Sequence, residues 1–269
     1  MNKQFQNKVA VVTGGASGIG LAISRIFGMA GASVAIIDFD KNGMEKTVKE
    51  LNAEGIHCLG YFCDVADFEM CGQTMKKIIA DFGGIDFLFN NAGITQRSPF
   101  LQTAVSVYRK VMDIDFFASV QCAKAAIECL IERKGMIIVT SSIAGFAPIA
   151  GRSGYSAAKH ALHGFYGVLR SELKEKGVDI LIVCPGFTET NLQTRALDGD
   201  GTVTKHPQST TGKVSTPADV ASEIFKAVMK REKLLVLSTV GKISYILTRI
   251  APGLFDYIQL KQLRSELER

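Results

Sequence analysis

The chain has 269 residues, of which 47% are hydrophobic, and it carries a formal net charge of +5. This length and composition suit one globular domain with a large core, since single α/β domains of this size are common. Lys and Arg are spread along the chain and form no dense basic block, which argues against nucleic-acid binding. No uninterrupted apolar run reaches about 18 residues, so the sequence predicts no membrane-spanning helix.

The cysteines and histidines indicate neither disulfides nor a metal site. The six cysteines form no C-x-x-C pair, and we interpret them as small core residues in a reducing compartment. The N-terminus is polar and has no signal-peptide pattern, so we expect a cytoplasmic protein. His160 and His163 share a predicted helix, but no further ligands accompany them, and we expect no bound metal.

Seven apolar segments are predicted to form strands, and helical periodicity fills the intervals between them. Continuous apolar strands that alternate with helices indicate a parallel sheet covered on both faces. We therefore predict an α/β fold, a single Rossmann-type doubly wound domain over residues 1–269 with about seven strands. The predicted strands are Val9–Thr13, Ser33–Ile37, His57–Cys63, Phe87–Asn90, Gly135–Thr140, Ile180–Cys184 and Lys233–Leu237.

The first predicted strand runs into a glycine-rich turn and then into a helical pattern. Gly14, Gly18 and Gly20 have the spacing G-x-x-x-G-x-G. A helix N-terminus presents free N–H groups and a positive dipole end, which suit a pyrophosphate. Gly14 allows the turn to form, Gly18 lets the backbone approach the phosphates, and Gly20 allows close packing of the helix on the strand.

The second strand is followed at once by a carboxylate, Asp38, 24 residues after Gly14. An acidic residue about 20 residues beyond such glycines binds the adenosine ribose hydroxyls of a dinucleotide. A carboxylate at this place repels a 2′-phosphate, and the glycine turn carries Ser17 with no Arg or Lys. The sequence therefore favours NAD over NADP.

Tyr155 and Lys159 lie four residues apart on a predicted helix, so their side chains share a face. An ammonium near a phenol favours the phenolate and lowers the tyrosine pKa. A large enough lowering would bring this pKa near neutral, where general acid–base catalysis works best. Ser142 stands at a strand end, thirteen residues before Tyr155, where its hydroxyl could hold the reacting oxygen. The Y-x-x-x-K spacing alone also arises by chance on amphipathic helices.

Five motifs stand in a familiar order along the chain. They are Thr13-Gly14-Gly15-Ala16-Ser17-Gly18-Ile19-Gly20, Asn90-Asn91-Ala92-Gly93, Ser142, Tyr155-x-x-x-Lys159 and Pro185-Gly186. In these motifs the chain resembles the classical short-chain dehydrogenases/reductases (SDRs), and the resemblance covers roughly residues 7–240.

The resemblance implies a role for each catalytic residue. Tyr155 would protonate a ketone oxygen during reduction or take the proton of an alcohol during oxidation. Lys159 would lower the tyrosine pKa and bind the nicotinamide ribose, while Ser142 would hydrogen-bond the substrate oxygen. Ser141 is the less favoured neighbour.

The resemblance also implies the cofactor contacts. Asp64 and Val65 should contact the adenine, the turn after the fourth strand should lie beneath the cofactor, and the residues after Cys184 should meet the nicotinamide. The general preference of turns for Asn, Gly and Pro would also explain these residues at strand ends, without any cofactor. The expected cofactor-binding set is Gly14, Ser17, Gly18, Ile19, Gly20, Asp38, Asp64, Val65, Asn91, Ala92, Gly93, Tyr155, Lys159, Pro185, Gly186, Thr188 and Thr190.

The chain departs from the family pattern at Asp115, where an asparagine would be expected. That asparagine helps to hold a water that connects the lysine to solvent. Asp115 keeps acceptor oxygens but loses the amide donor, and its charge could pair with Lys159 and raise the lysine pKa. We expect slower turnover or a shifted pH optimum, with activity retained.

Two segments depart from the strand–helix alternation. Residues 187–215 are polar and follow a strand end, which favours a substrate lid. Residues 234–269 are strongly apolar up to Leu260 and are expected to pack as a last strand and helix or at a subunit interface. The alternative is an apolar wall for a lipophilic substrate or a peripheral membrane contact.

Three functions remain open on this basis. The leading hypothesis is an NAD(H)-dependent oxidoreductase that interconverts a secondary alcohol and a ketone on a lipophilic, steroid-, retinoid- or acyl-like molecule. The alternatives are an NADPH-dependent 3-oxoacyl reductase and a non-catalytic NAD-binding sensor or scaffold. Because family members pair through the helices at 101–131 and 156–174, a homodimer or homotetramer is expected.

Overall fold

The strands form one sheet in which every neighbouring pair is parallel. The computed structural model describes residues 3–206 and 212–267. The strand order is β3-β2-β1-β4-β5-β6-β7, so the order reverses between β1 and β4. The strands are β1 (Val9–Thr13), β2 (Ser33–Asp38), β3 (Cys58–Phe62), β4 (Phe87–Asn90), β5 (Met136–Thr140), β6 (Asp179–Cys184) and β7 (Leu234–Val236).

All seven predicted strands are confirmed, and the predicted bounds differ mainly at the sheet edges. The edge strand β7 is shorter than predicted because it pairs with β6 only from Leu234 to Val236. At the other edge, β3 begins at Cys58 and ends at Phe62, where it pairs with Asp38 of β2. That pairing extends β2 by one residue and makes Asp38 part of the strand.

Helices cover both faces of the sheet. Apolar residues of α1, α2 and α7 pack on one face, and those of α3, α5 and α6 pack on the other. The helices are α1 (Gly18–Met29), α2 (Lys41–Ala53), α3 (Phe68–Phe82), α4 (Val105–Met112), α5 (Ala118–Arg133), α6 (Ser153–Leu173), α7 (Pro217–Met229), α8 (Thr239–Ile250) and α9 (Pro252–Leu267).

The predicted helical stretch at 101–131 is not one regular helix. Leu101 lies in a short 3₁₀ turn, and α4 and α5 are joined by the π-helical turn Asp113–Phe117. Asp115 lies in this turn and is buried. Single π-helical turns inside α-helices are often found at functional sites.

An aromatic cluster fixes α1 against the sheet. The Phe27 ring is fully buried and contacts four phenylalanine rings, with centroid distances of 4.7–5.6 Å. These rings belong to Phe5, Phe87, Phe89 and Phe225. Because the glycine turn leads directly into α1, this packing also sets the position of the helix N-terminus.

The polar segment at 187–215 is tied to the loop that follows β4. Leu197 N donates to Thr95 O at 2.8 Å, and Arg97 N donates to Leu197 O at 2.8 Å. Ala104 N, just before α4, donates to Gly199 O at 2.8 Å. The predicted lid is therefore attached by its backbone along residues 197–199, and its residues 207–211 lie outside the described residues.

The apolar segment at 234–269 forms β7, α8 and α9, and residues 268–269 lie outside the described residues. The two helices rest on the loop that precedes α6, where the rings of Phe146 and Tyr245 lie 5.0 Å apart. Within residues 3–206 and 212–267, no helix is both long and apolar enough to cross a membrane.

Replacement of Phe27 by alanine tests the role of the aromatic cluster. We expect Phe27→Ala to lower the free energy of unfolding by about 3–5 kcal/mol, because a fully buried ring leaves a cavity. Urea denaturation followed by circular dichroism measures the change. Phe100→Ala, at a ring that is 74% exposed, is the control and should cost about 0.5 kcal/mol or less. Equal losses in the two variants would contradict this account of the core.

Candidate active site

The predicted site residues lie at the carboxyl ends of the strands or on helices that face this edge. This is the edge at which open α/β sheets bind their ligands, in the crevice where the strand order reverses. Here the reversal lies between β1 and β4, so the glycine turn and the segment Asn91–Gly93 face each other across it.

The glycine turn is closely packed against the turn after β4. Gly14 and Gly18 have φ values of +63° and +54°, which favour glycine. A Cβ atom at Gly20 would lie 2.1 Å from Gly14 O and 2.7 Å from Asn91 Nδ2. The N-cap residue of α1, Ser17, is exposed and makes no side-chain capping hydrogen bond. Backbone N–H groups and a free hydroxyl at a helix N-terminus fit a pyrophosphate.

Thr13 joins the two turns across the reversal point. Its Oγ1 donates to Phe89 O at 3.3 Å and accepts from Asn91 N at 2.9 Å and Ala92 N at 3.0 Å. The Asn91 side chain returns the contact by donating to Thr13 O at 3.1 Å. The sequence-based site omitted Thr13 as a functional residue, although it begins the glycine motif.

Asp38 lies beside the glycine turn, as expected from its spacing. Its Oδ2 accepts from Ala16 N and its Oδ1 accepts from Asp40 N, both at 3.0 Å. A cleft of about 350 Å³ opens next to it, and two cationic residues, Lys41 and Arg195, are among its lining residues. The remaining lining residues are Phe39, Asp40 and Asn42. Arg195 escaped the sequence analysis because only the fold brings segment 187–215 to the end of β2.

The other expected cofactor residues fall into two groups. After β6, Thr190 reaches the glycine turn, since a Cβ at Gly18 would lie 3.1 Å from Thr190 Cγ2. Thr188 Oγ1 donates to Gly186 O at 3.2 Å, and Pro185 is buried.

After β3, Val65 is buried, whereas Asp64 is exposed and its Oδ1 accepts from Ala66 N at 3.0 Å. For Asp64 the described contacts are those of a turn residue.

The three predicted catalytic side chains meet where β5 ends beside α6. Lys159 Nζ lies 5.4 Å from the centroid of the Tyr155 ring and donates to Thr140 O at 3.1 Å. Ser142 Oγ accepts from Ala144 N at 3.2 Å, and its hydroxyl is near enough to the Tyr155 phenol to act on the pKa of that phenol in the lowering direction. Ser141 instead donates to Lys159 O at 3.4 Å, so the neighbouring serine is turned toward the helix backbone. The choice of Ser142 over Ser141 as the acting serine stays a prediction.

Asp115 forms a buried ion pair with Lys159. Its Oδ2 lies 3.0 Å from Lys159 Nζ, and its Oδ1 accepts from Ile94 N at 2.7 Å. Both side chains are at most 5% exposed. The π-helical turn thus brings a carboxylate to the position where the family pattern expects an amide. The predicted pairing of Asp115 with Lys159 is present.

The three buried groups shift one another's pKa. Burial opposes the charged form of Lys159, but the charges of Asp115 and Tyr155 outweigh this and raise the pKa of Lys159. Burial raises the pKa of the Asp115 carboxyl, while Lys159 and the Ile94 N–H act in the opposite direction. Burial also raises the pKa of Tyr155, against the charge of Lys159 and the hydrogen bond with Ser142.

The expected lowering of the Tyr155 pKa is therefore not the net result for the protein alone. Lys159 does act on the phenol in the expected direction, but desolvation of a side chain that is only 9% exposed is the larger effect. The negative charge of Asp115 also raises the pKa of Tyr155. The partners of Tyr155 could be predicted from the sequence, but the degree of its burial, which decides the net shift of its pKa, could not.

The family model described as short chain dehydrogenase matches residues 8–200. The chain belongs to the short-chain dehydrogenase/reductase family. This SDR chain therefore falls in a family of oxidoreductases, and its sheet order and the placement of the glycine turn agree with that assignment.

Several curated relatives match almost the whole SDR chain. Dehydrogenase/reductase SDR family member 7B of Mus musculus is 35% identical, with 97% of this chain and 83% of the mouse protein covered. The Xenopus tropicalis protein of the same name is 36% identical over 97% of this chain and 87% of its own length. Dehydrogenase/reductase SDR family protein 7-like of Drosophila melanogaster is 31% identical, with coverages of 96% and 81%.

Solved SDR structures share the fold. A short-chain dehydrogenase/reductase from Burkholderia phymatum in complex with NAD superposes with a TM-score of 0.81 at 21% identity, covering 93% of this chain and 96% of that one. LigD in its apo form, from a Sphingobium strain, gives a TM-score of 0.76 at 25% identity, with coverages of 94% and 97%.

Metal-ligating side chains do not cluster in the described part of the SDR chain. In residues 3–206 and 212–267, no group of three His, Cys, Asp or Glu residues is arranged to hold a metal ion. His163 is partly buried, which lowers its pKa to about 4, and its Nε2 lies 3.6 Å from Cys184 Sγ.

Replacement of Gly20 by alanine tests the close packing around the glycine turn. We expect Gly20→Ala to lower the free energy of unfolding by about 1–3 kcal/mol, because the added methyl group meets a backbone oxygen. The control is Gly164→Ala in α6, where a Cβ would meet open space and the helix should gain about 0.5–1 kcal/mol. Chemical denaturation measures both, and a Gly20→Ala protein as stable as the parent would refute the close packing.

Proposed function

We propose that this protein is an NAD(H)-dependent oxidoreductase that interconverts a secondary alcohol and a ketone on a lipophilic substrate. The observation that carries the proposal is the meeting of Ser142, Tyr155 and Lys159 at one point of the sheet edge. A sensor or scaffold that only binds a nucleotide would not need all three side chains together. The non-catalytic alternative therefore receives no support from the site.

The chain supplies the proton chemistry and the orientation of the substrate. Ser142 holds the substrate oxygen, and Tyr155 gives a proton to a ketone oxygen or takes one from an alcohol. Lys159 stabilises the phenolate form by its positive charge. The nicotinamide, when bound, supplies or accepts the hydride at the substrate carbon. The Lys159 ammonium would also reach the nicotinamide ribose.

The cofactor preference is proposed to be NAD. The Asp38 carboxylate lies next to the glycine turn, where it would accept hydrogen bonds from the adenosine ribose and repel a 2′-phosphate. The Burkholderia structure that shares this fold contains NAD, which supports the proposal. Gly14, Ser17, Gly18 and Ile19 would hold the pyrophosphate, and Thr188 and Thr190 the nicotinamide end.

An NADPH-dependent reductase remains the second candidate because of the cleft beside Asp38. Lys41 and Arg195 line that cleft and place two positive charges near the adenosine end. Such charges could compensate a 2′-phosphate. The ratio of kcat/KM for NADH and NADPH separates the two candidates.

The lipophilic class of substrate is inferred from the surroundings of Tyr155. Its buried neighbours are Val111, Ala144 and Ala158, and the partly buried ones are Ile94, Met112, Phe116 and Ile149. Apolar walls with a few convergent polar groups are typical of small-molecule sites.

We also propose assembly into a homodimer or homotetramer through α4–α5 and α6.

A Tyr155→Phe variant tests the proposed chemistry. Assayed with NADH and NADPH against steroid, retinoid, acyl and short aliphatic alcohol/carbonyl pairs, the parent should turn over one class. Tyr155→Phe should lose at least about 10²-fold in kcat, because the acid/base is removed. The control is Tyr166→Phe on the same helix, which should keep its turnover. Undiminished activity of Tyr155→Phe would exclude Tyr155 as the acid/base.

An Asp115→Asn variant tests the effect of the buried carboxylate on pH dependence. The Asp115 charge raises the pKa of Tyr155, so its removal should lower that pKa. Alcohol oxidation needs the phenolate, and its rate should therefore begin to rise at lower pH in the variant. Activity at neutral pH should be equal to or above that of the parent.

The matched control for this variant is Asp113→Asn in the same π-helical turn. Asp113 is exposed, so its replacement should leave the profile of rate against pH in place. A profile for Asp115→Asn that stays unchanged or moves to higher pH, or a lower activity at neutral pH, would show that Asp115 has another role.

A further inference from the structure

The C-terminal helices expose an apolar surface that the rest of the described chain does not cover. On α8 it comprises Ile243, Ile246 and Ile250, which are 58%, 56% and 79% exposed. On α9 it comprises Leu254 and Tyr257, which are 52% and 66% exposed. We refer to these five side chains as the C-terminal surface.

The exposed isoleucines of α8 have the spacing that is typical of a helix with one apolar binding face. Ile243, Ile246 and Ile250 are three and four residues apart, so their side chains share a stripe. The opposite side of α8 packs on the protein through Gly241, which is buried, and Tyr245, whose ring contacts Phe146. The helix is therefore held in place by one face while a second apolar face points outward.

Positive charges border the stripe. Lys242 and Arg249 are seven residues apart, two turns along α8, and lie next to the isoleucines on the helix surface. The Arg249 guanidinium is fixed 3.6 Å from the centroid of the Tyr245 ring. Over α8 and α9, residues 239–267, the sequence has four basic residues, Lys242, Arg249, Lys261 and Arg264, against two acidic residues, Asp256 and Glu266.

The same helices rest on the loop between the catalytic residues Ser142 and Tyr155. A Cβ at Gly241 would lie 3.0 Å from Ile143 Cγ1, and Gln259 accepts a hydrogen bond from Ala150 N. The C-terminal surface is thus carried by elements in direct contact with both ends of this loop. A molecule that binds the surface would therefore lie on helices that contact the loop between Ser142 and Tyr155.

We propose that α8 and α9 dock flat on an anionic lipid bilayer, with the C-terminal surface inserted at the level of the head groups. Helices with an apolar stripe bordered by Lys and Arg bind in this way. At 12 residues α8 is too short to span a bilayer. If the proposed function holds, an apolar alcohol or ketone would enter the site from the bilayer.

A second copy of the chain fits this surface less well. A two-fold dimer brings the same patch of both copies together, so residues near the axis face their own counterparts. The basic residues that border the stripe would then approach one another, and like charges across an interface are unfavourable. An anionic bilayer would bury the apolar side chains and would place its negative head groups next to the basic residues.

Vesicle binding tests the proposal without any measurement of turnover. The intact protein is sedimented with phosphatidylglycerol vesicles and, separately, with phosphatidylcholine vesicles. We expect binding to phosphatidylglycerol that weakens with salt, and much weaker binding to phosphatidylcholine. Ile243→Ser/Ile246→Ser/Ile250→Ser should lower the partition coefficient by at least about tenfold. Lys242→Ser should lower it by about fivefold.

The matched control is Met29→Ser/Met229→Ser, which removes two exposed apolar side chains from the helices on the other face of the sheet. It should bind vesicles like the parent. Light scattering after gel filtration gives the oligomeric mass of each variant. The proposal is overturned if the parent does not bind phosphatidylglycerol vesicles, or if the triple variant binds them as tightly as the parent. It is also overturned if only the oligomeric mass changes, which would make the surface an interface between copies.

Discussion

The site depends on how the sheet is joined at the point where its strand order reverses. After β1 the chain continues to β2 on one side, and after β4 it continues to β5 on the other side. A crevice therefore opens at the carboxyl ends of β1 and β4. The Thr13 hydroxyl spans this point with hydrogen bonds to Phe89, Asn91 and Ala92. The glycine turn and the turn after β4 are therefore held in one fixed relation, and the packing of Phe27 fixes α1 behind them.

The regular part of this arrangement could be predicted from sequence because it follows from local patterns. Apolar runs gave all seven strands, and the glycine spacing gave the turn before α1. Arg195 could not be found in this way, because its place in the cleft lined by residues 39–42 depends on the course of a long loop. The net pKa shift of Tyr155 was missed for a related reason, since burial depends on packing by distant segments. The roles of the individual site residues remain predictions.

Lys159 shows how opposing effects balance at the centre of the site. An isolated ammonium at this depth would be driven toward its neutral form, because burial penalises charge. The carboxylate of Asp115 at 3.0 Å and the carbonyl of Thr140 at 3.1 Å replace the lost water and keep the ammonium charged. The same carboxylate disfavours the phenolate of Tyr155. A single residue of the π-helical turn thus secures the charge of the lysine and weakens its effect on the tyrosine.

The attachment of segment 187–215 has a mechanical consequence. Its residues 197 and 199 are hydrogen-bonded through the backbone to Thr95, Arg97 and Ala104. Ala104 immediately precedes α4, and α4 leads into the turn that carries Asp115. The segment therefore cannot swing away as an independent flap unless these three bonds break. If they stay intact, the loop at 95–104 and the start of α4 travel with it, so any movement of the segment is transmitted toward the turn that holds Asp115.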